Sequence, residues 1–130
     1  MSYGAKSYKN TAIKTATPEQ VLLMLYEAAI KSAKLAKQAM EKGQIAEKGK
    51  NIAKVHDIVM ELSATLDHKI APDIAARLTS LYDYCVSELL KANLNNDATA
   101  LESVIKVLTT LYSGWVEAVE NNKKEKREKT

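Results

Sequence analysis

The side chains best suited to chemistry in this sequence are two histidines and one cysteine, and their spacing predicts no reactive site. Dinuclear metal sites in helical bundles need a glutamate three residues before each ligating histidine. That position holds an alanine before His56 and a threonine before His68. Cys85 has no histidine close to it in the sequence that could activate the thiol. We therefore expect no enzyme activity, no metal and no cofactor.

The remaining candidate groups favour structural roles. The sequence contains no glycine-rich phosphate loop. Cys85 falls on an apolar helical face and is expected to be a small buried hydrophobe in a reducing compartment. Four acidic residues are expected on solvated helix faces: Asp57, Glu61, Asp83 and Glu88. The start of the chain has no signal-peptide pattern and no stretch is apolar over about 18 residues, so we predict a cytoplasmic protein without membrane insertion.

The net charge of +3 comes from the C-terminal end of the chain. Residues 123–129 hold five basic and two acidic residues, which leaves 14 basic and 14 acidic residues in the rest of the sequence. A neutral body offers no basic face for phosphates. We therefore predict no nucleic-acid partner, and we expect residues 122–130 to be a basic, disordered tail.

The stretch from Thr15 to Tyr26 is predicted to start the helix around which the rest of the chain packs. Thr17 fits an N-cap, Pro18 the first helical position and Gln20 the capping-box position. The next six residues, 21–26, carry no charge. At 100° per residue they place apolar groups around the whole helix, so this helix must be covered from several directions.

Apolar residues at spacings of three and four predict four helices over about 18–40, 44–67, 72–93 and 98–121. Short loops between helices of similar length make neighbouring helices antiparallel. The predicted fold is all-α, an antiparallel up-down-up-down four-helix bundle over residues 17–121 with a flexible N-terminal arm, residues 1–16. The predicted core positions of the third helix are Ile74, Leu78, Leu81, Cys85, Leu89 and Ala92.

The predicted helices carry more apolar residues than four packed helices require. The third helix has a second stripe, on which we expect Tyr82 and not Tyr84 to face outwards. The surplus predicts a client-binding groove for an amphipathic helix of a partner, lined by Ile58, Leu62, Tyr82, Val86, Leu90 and Val107. The alternative is that the stripes of adjacent helices close over one another or pack on the arm. Tyr8 and Ile13 are apolar anchors with which the arm could cover an empty groove.

Several motifs in this order and spacing resemble the FliS family, the export chaperones of flagellin. They are the run from Tyr8 through Ile13 to Thr15, Ala16 and Pro18, then LLMLYE at 22–27, LYDY at 81–84, A-N-x-x-N-D at 92–97 and Trp115. The resemblance covers about residues 8–120. Within these motifs, Tyr26 and Trp115 are expected to pack in the core and at the bundle end, while Asn93, Asn96 and Asp97 shape a turn and cap the fourth helix.

The resemblance implies a cytoplasmic chaperone that binds the disordered C-terminal segment of flagellin along the apolar surface of the bundle and prevents premature polymerisation. It implies docking to the gate of the flagellar type III export apparatus, with Tyr8 and Ile13 as lid and docking residues. No cofactor is implied, and we expect a monomer that binds its client 1:1. The alternative is a helical-bundle binding module for another secreted or regulatory protein.

Overall fold

The computed structural model describes residues 16–129, which form four α-helices joined by short connections. The helices are α1 (Pro18–Glu41), α2 (Ile45–Ala64), α3 (Pro72–Asn95) and α4 (Ala98–Glu128). Each helix packs against two others, in the ring α1–α2–α3–α4–α1. The predicted all-α four-helix bundle is confirmed.

The capping signals in the sequence set the start and end of α1. The amide of Gln20 donates to Thr17 Oγ1 at 3.2 Å, and the amide of Thr17 donates to Gln20 Oε1 at 3.0 Å. This reciprocal pair is the predicted capping box. At the other end Gly43 has a φ of 70°, a left-handed conformation that lacks the usual penalty because glycine has no Cβ.

The turn between α3 and α4 also follows the sequence. Asn96 adopts a left-handed conformation with φ of 52°, and Asp97 Oδ1 accepts from the amide of Ala100 at 3.2 Å. Asn96 and Asp97 therefore shape the turn and cap α4, as predicted. Asn93, in contrast, lies inside α3, which runs two residues further than expected.

Two helix ends differ from the sequence prediction by three residues or more. Helix α2 ends at Ala64, three residues early, where the Thr65 hydroxyl donates to the Leu62 carbonyl and Asp67 accepts from the amide of Lys69. These local bonds compete with further helix. Helix α4 continues through residues 122–128, which we expected to be disordered. That segment is rich in lysine, arginine and glutamate, which are good helix formers, and basic residues in its last turn suit the helix dipole.

The core runs along the bundle axis. Alanines on α1 let neighbouring helices approach closely, and apart from Tyr26 and Met40 the larger buried side chains come from the other three helices. The largest fully buried side chains are Tyr26, Tyr82, Leu62, Leu89, Leu101, Leu108, Val55, Val59, Val104 and Cys85. The predicted burial of Cys85 and of Tyr26 is confirmed, and Trp115 packs partly buried against the core.

Helix α3 differs from its predicted register in its first half. Ile74 and Leu81, expected in the core, are exposed, and the next residue in each case, Ala75 and Tyr82, is buried instead. The buried positions then follow a regular three-four spacing to Ala92. A tyrosine takes a core position at no polar cost only if its hydroxyl has a partner, and Tyr82 has one.

Candidate functional site

Tyr82 belongs to a cluster of three aromatic side chains, in which Tyr26 and Tyr82 are buried and Trp115 is partly buried. Its hydroxyl lies 2.5 Å from that of Tyr26, and Trp115 Nε1 donates to the Tyr26 hydroxyl at 3.2 Å. Burial raises the pKa of both tyrosines above the ordinary value of 10.0. Because Tyr82 is only 2% exposed, the prediction that it faces a surface groove is wrong, and Tyr84 is the exposed one of the two.

The other predicted groove residues do not gather on one surface. Leu62 is buried in the core, so its assignment to a groove is also wrong. Ile58 and Val107 are partly buried and pack against the core. Ile58 follows His56 by two residues, which is 200° around the helix, so the two side chains point to different flanks of α2.

Val86 and Leu90 line a groove between α2 and α3. We call it the α2/α3 groove; it has a volume of about 350 Å³. It is lined by Gly49, Ile52, Ala53, His56, Asp57, Val86, Leu89, Leu90 and Asn93. Ile52 and Leu89 are buried in its floor, whereas Leu90 is 59% exposed. An exposed leucine above an apolar floor is the arrangement that a docked side chain would cover.

The depth of the α2/α3 groove follows from small side chains on α2. Gly49 and Ala53 lie one turn apart on the wall facing α3. A Cβ built on Gly49 would meet no atom within 4 Å, so this glycine faces open space and no close neighbour requires it. Glycine inside a helix costs about 1 kcal/mol relative to alanine, and here it widens the groove.

The groove continues to the end of the bundle formed by the α1–α2 and α3–α4 connections. Asn93 lines both the α2/α3 groove and an adjoining pocket of about 300 Å³, which we call the end pocket. The end pocket is lined by Ala39, Met40, Gly43, Gln44, Ile45, Lys48, Asn93, Leu94 and Asn96. Ile45 and Leu94 are among the most exposed large apolar side chains of the described chain, so the apolar surface extends along both helices.

Ile45, Ala53 and Leu94 were not predicted from the sequence to be groove residues. Leu94 follows Leu90 by four residues and so continues the same stripe of α3, a signal that was available. Ala53 had no such signal, because a small residue contributes to a groove by leaving space.

The predicted lid residues Tyr8 and Ile13 lie outside the described residues. The helix that follows the arm begins at Pro18, and its apolar residues 21–25 are each only partly buried. The complete cover expected for this helix start is therefore not provided by the described part of the chain.

The described residues form no metal-binding cluster and no activated nucleophile. Within residues 16–129, no group of three or more histidine, cysteine or acidic side chains could hold a metal ion. His56 Nδ1 lies 3.3 Å from Asp57 Oδ1 on the exposed rim of the groove. None of the helices between residues 16 and 129 is both long enough and apolar enough to cross a membrane.

Burial makes the Cys85 thiol a weak acid, and this gives a testable pH dependence. Burial, with a smaller contribution from the charge of Glu88, raises the pKa of Cys85 from 9.0 to about 11. The unfolded thiol ionises first, so the free energy of unfolding should fall as pH rises from about 9 towards 11. We expect Cys85→Ala to lose less stability over this range, measured by urea unfolding at pH 8, 9 and 10. Fast thiol labelling at pH 8 without urea would contradict the burial of Cys85.

Comparison with known proteins agrees with this architecture. The family model described as flagellar protein FliS matches residues 1–122. The flagellar secretion chaperone FliS of Bacillus subtilis (strain 168) is 32% identical over 120 residues, covering 92% of this chain and 89% of the relative. That of Salmonella typhimurium is 35% identical over 117 residues, covering 86% and 87%. A solved structure described as a flagellar chaperone from bacteria has a TM-score of 0.75 at 21% identity, covering 91% of this chain and 96% of its own.

Proposed function

The chain belongs to the flagellar protein FliS family, and we propose that this flagellar secretion chaperone binds the C-terminal segment of flagellin in the α2/α3 groove. Binding would keep that segment from polymerising before export. The observation that carries the proposal is an open apolar groove whose floor is built into the core and whose rim includes the exposed Leu90.

The dimensions of the groove suit one amphipathic helix. From Ile45 to Asp57 the α2 wall spans thirteen residues, about 18 Å from the first to the last at a rise of 1.5 Å per residue. That is room for about three turns of a client helix, with apolar anchors at i, i+3, i+4 and i+7. The low wall at Gly49 and Ala53 lets the client backbone approach α2 closely, while Leu90 and Leu94 supply apolar contact from α3.

The client surface proposed here keeps part of the sequence-based set. Val86 and Leu90 stay as client contacts, and Ile45, Ala53 and Leu94 join them. Ile58 and Val107 are left out because neither lines the α2/α3 groove. Coupled folding of a disordered client costs a few kcal/mol, so binding stays weak enough for release during export.

The N-terminal arm is proposed as lid and docking segment. Tyr8 precedes the N-cap Thr17 by nine residues, so an extended arm carries its ring as far as about 30 Å from the start of α1. Tyr8 and Ile13 would cover apolar surface in the empty chaperone and dock at the gate of the flagellar type III export apparatus once a client is bound. The chaperone would act as a cytoplasmic monomer with one client.

Co-purification with flagellin tests the proposal. We expect full-length flagellin from the same cell to co-purify with the chaperone as a 1:1 complex. Flagellin that lacks its C-terminal helical segment should not co-purify with the chaperone. The measurement is mass by light scattering of the eluted complex. Mixing the chaperone with flagellin monomer should also block filament growth, which turbidity follows.

Equal co-purification of full-length and truncated flagellin would contradict the choice of client segment. Recovery of a different secreted or regulatory protein in place of flagellin would favour the alternative of a binding module with another client.

A further inference from the structure

Lys48 is a buried cation without an acidic partner among the described residues. Its side chain lies in the end pocket, and the residue is 7% exposed. Its Nζ donates to the carbonyl of Asn93 at 3.3 Å and to Asn96 Oδ1 at 3.1 Å. The carboxylate of Asp97, the residue after Asn96, contacts Lys91 at 3.9 Å and the amide of Ala100. Both partners of the Lys48 ammonium are therefore neutral oxygens.

The ammonium of Lys48 keeps capacity for another ligand. It has three N–H donors, and two of them are used within residues 16–129. A buried charge is costly unless an opposite charge accompanies it. The carbonyl of Asn93 belongs to the last turn of α3, so the partial negative charge of that helix end meets only part of this need.

The position of Lys48 relates it to the α2/α3 groove. The end pocket adjoins the groove through Asn93, and its far side is formed by Gly43, Gln44 and Asn96 of the two connections. A helix lying in the groove would bring its terminal residue to this pocket. Ile45 and Leu94 on either side would cover its last apolar side chain.

We infer that the end pocket binds the C-terminal carboxylate of the client, with Lys48 as its charged partner. This inference rests on the proposed function and gives the client a direction. The client helix ends at the α1–α2 connection, runs parallel to α3 and antiparallel to α2, and places its negative dipole end beside the ammonium. A free α-carboxylate at that point accepts the third N–H of Lys48.

The test compares two synthetic peptides of the flagellin C-terminal segment, one with a free C-terminal carboxylate and one with a C-terminal amide. We expect the acid to bind the wild-type chaperone about tenfold more tightly than the amide, because a hydrogen bond to a charged group is lost. Lys48→Met should bind both peptides with the same affinity. Lys50→Met, an exposed lysine on the same helix, should keep the tenfold preference. Calorimetry measures all the affinities.

The outcomes separate this inference from the proposed function. Equal binding of acid and amide to the wild type overturns the carboxylate site and leaves the client assignment standing, whereas no binding of either peptide overturns both. A preference for the acid that persists in folded Lys48→Met assigns the carboxylate to another group and overturns the role of Lys48. A third peptide keeps the free C-terminal carboxylate and has asparagine or glutamine in place of any acidic residue in its last turn. It should bind the wild-type chaperone as tightly as the first peptide does. A weaker affinity of this third peptide alone overturns the choice of the α-carboxylate.

Discussion

Replacing Tyr26 with alanine is expected to lower the free energy of unfolding by about 3 to 5 kcal/mol, the range for removing a large aromatic side chain from a core. Tyr26 is completely buried, and its hydroxyl joins Tyr82 on α3 to Trp115 on α4. The substitution leaves a cavity where three helices meet and removes the partner of two polar groups. Urea unfolding followed by circular dichroism measures the loss.

Phenylalanine substitutions separate the hydroxyl group from the ring. Tyr26→Phe leaves both the Trp115 N–H and the Tyr82 hydroxyl without this partner, whereas Tyr82→Phe leaves the bond between Trp115 and Tyr26 in place. We expect a cost of about 2 kcal/mol for Tyr26→Phe and about 1 kcal/mol for Tyr82→Phe. Trp115, the single tryptophan, reports the change by its fluorescence. Equal costs for the two variants would contradict the central position of Tyr26 in the cluster.

The same cluster shows why the register of α3 could not be read from the sequence. Ile74 and Leu81 are more apolar than Ala75 and Tyr82, so hydrophobic spacing alone selects the wrong pair. The observed register is favoured because it brings the Tyr82 hydroxyl to the hydroxyl of Tyr26, which lies 56 residues earlier, on α1. No local pattern contains that contact, whereas the capping box of α1 and the turn at Asn96 are local and were predicted correctly.

Of the two walls of the α2/α3 groove, only the α3 wall could be predicted from the sequence. Its α3 wall is a stripe of large apolar residues, and Val86 and Leu90 were identified from their spacing. Its α2 wall depends on Gly49 and Ala53, whose contribution is the space they leave. Leu62 was assigned to the groove but is buried in the core. The sequence alone does not show which apolar residues the core requires, because that depends on how the helices pack.

Leu90→Glu is expected to weaken binding of the flagellin C-terminal peptide about a hundredfold, because it places a carboxylate in the apolar contact that we propose for the client. Ala53→Glu, on the opposite wall of the groove, should have a similar effect by filling the space that the client backbone needs. Both positions are exposed, so the free energies of unfolding of the two variants should lie within about 0.5 kcal/mol of that of the wild type. Calorimetry with the peptide measures the affinities.

Ile74→Glu is the matched control for Leu90→Glu. The two residues lie on the same helix and are 58% and 59% exposed, but Ile74 lies outside the α2/α3 groove. Sixteen residues separate them, which places them about 160° apart around α3. Both substitutions add the same charge at nearly the same exposure. If the client is confined to the groove, Leu90→Glu should weaken binding of the peptide and Ile74→Glu should not. Equal loss of affinity in both variants would mean that the client wraps further around the bundle, and loss only in Ile74→Glu would place the client on the opposite flank of α3.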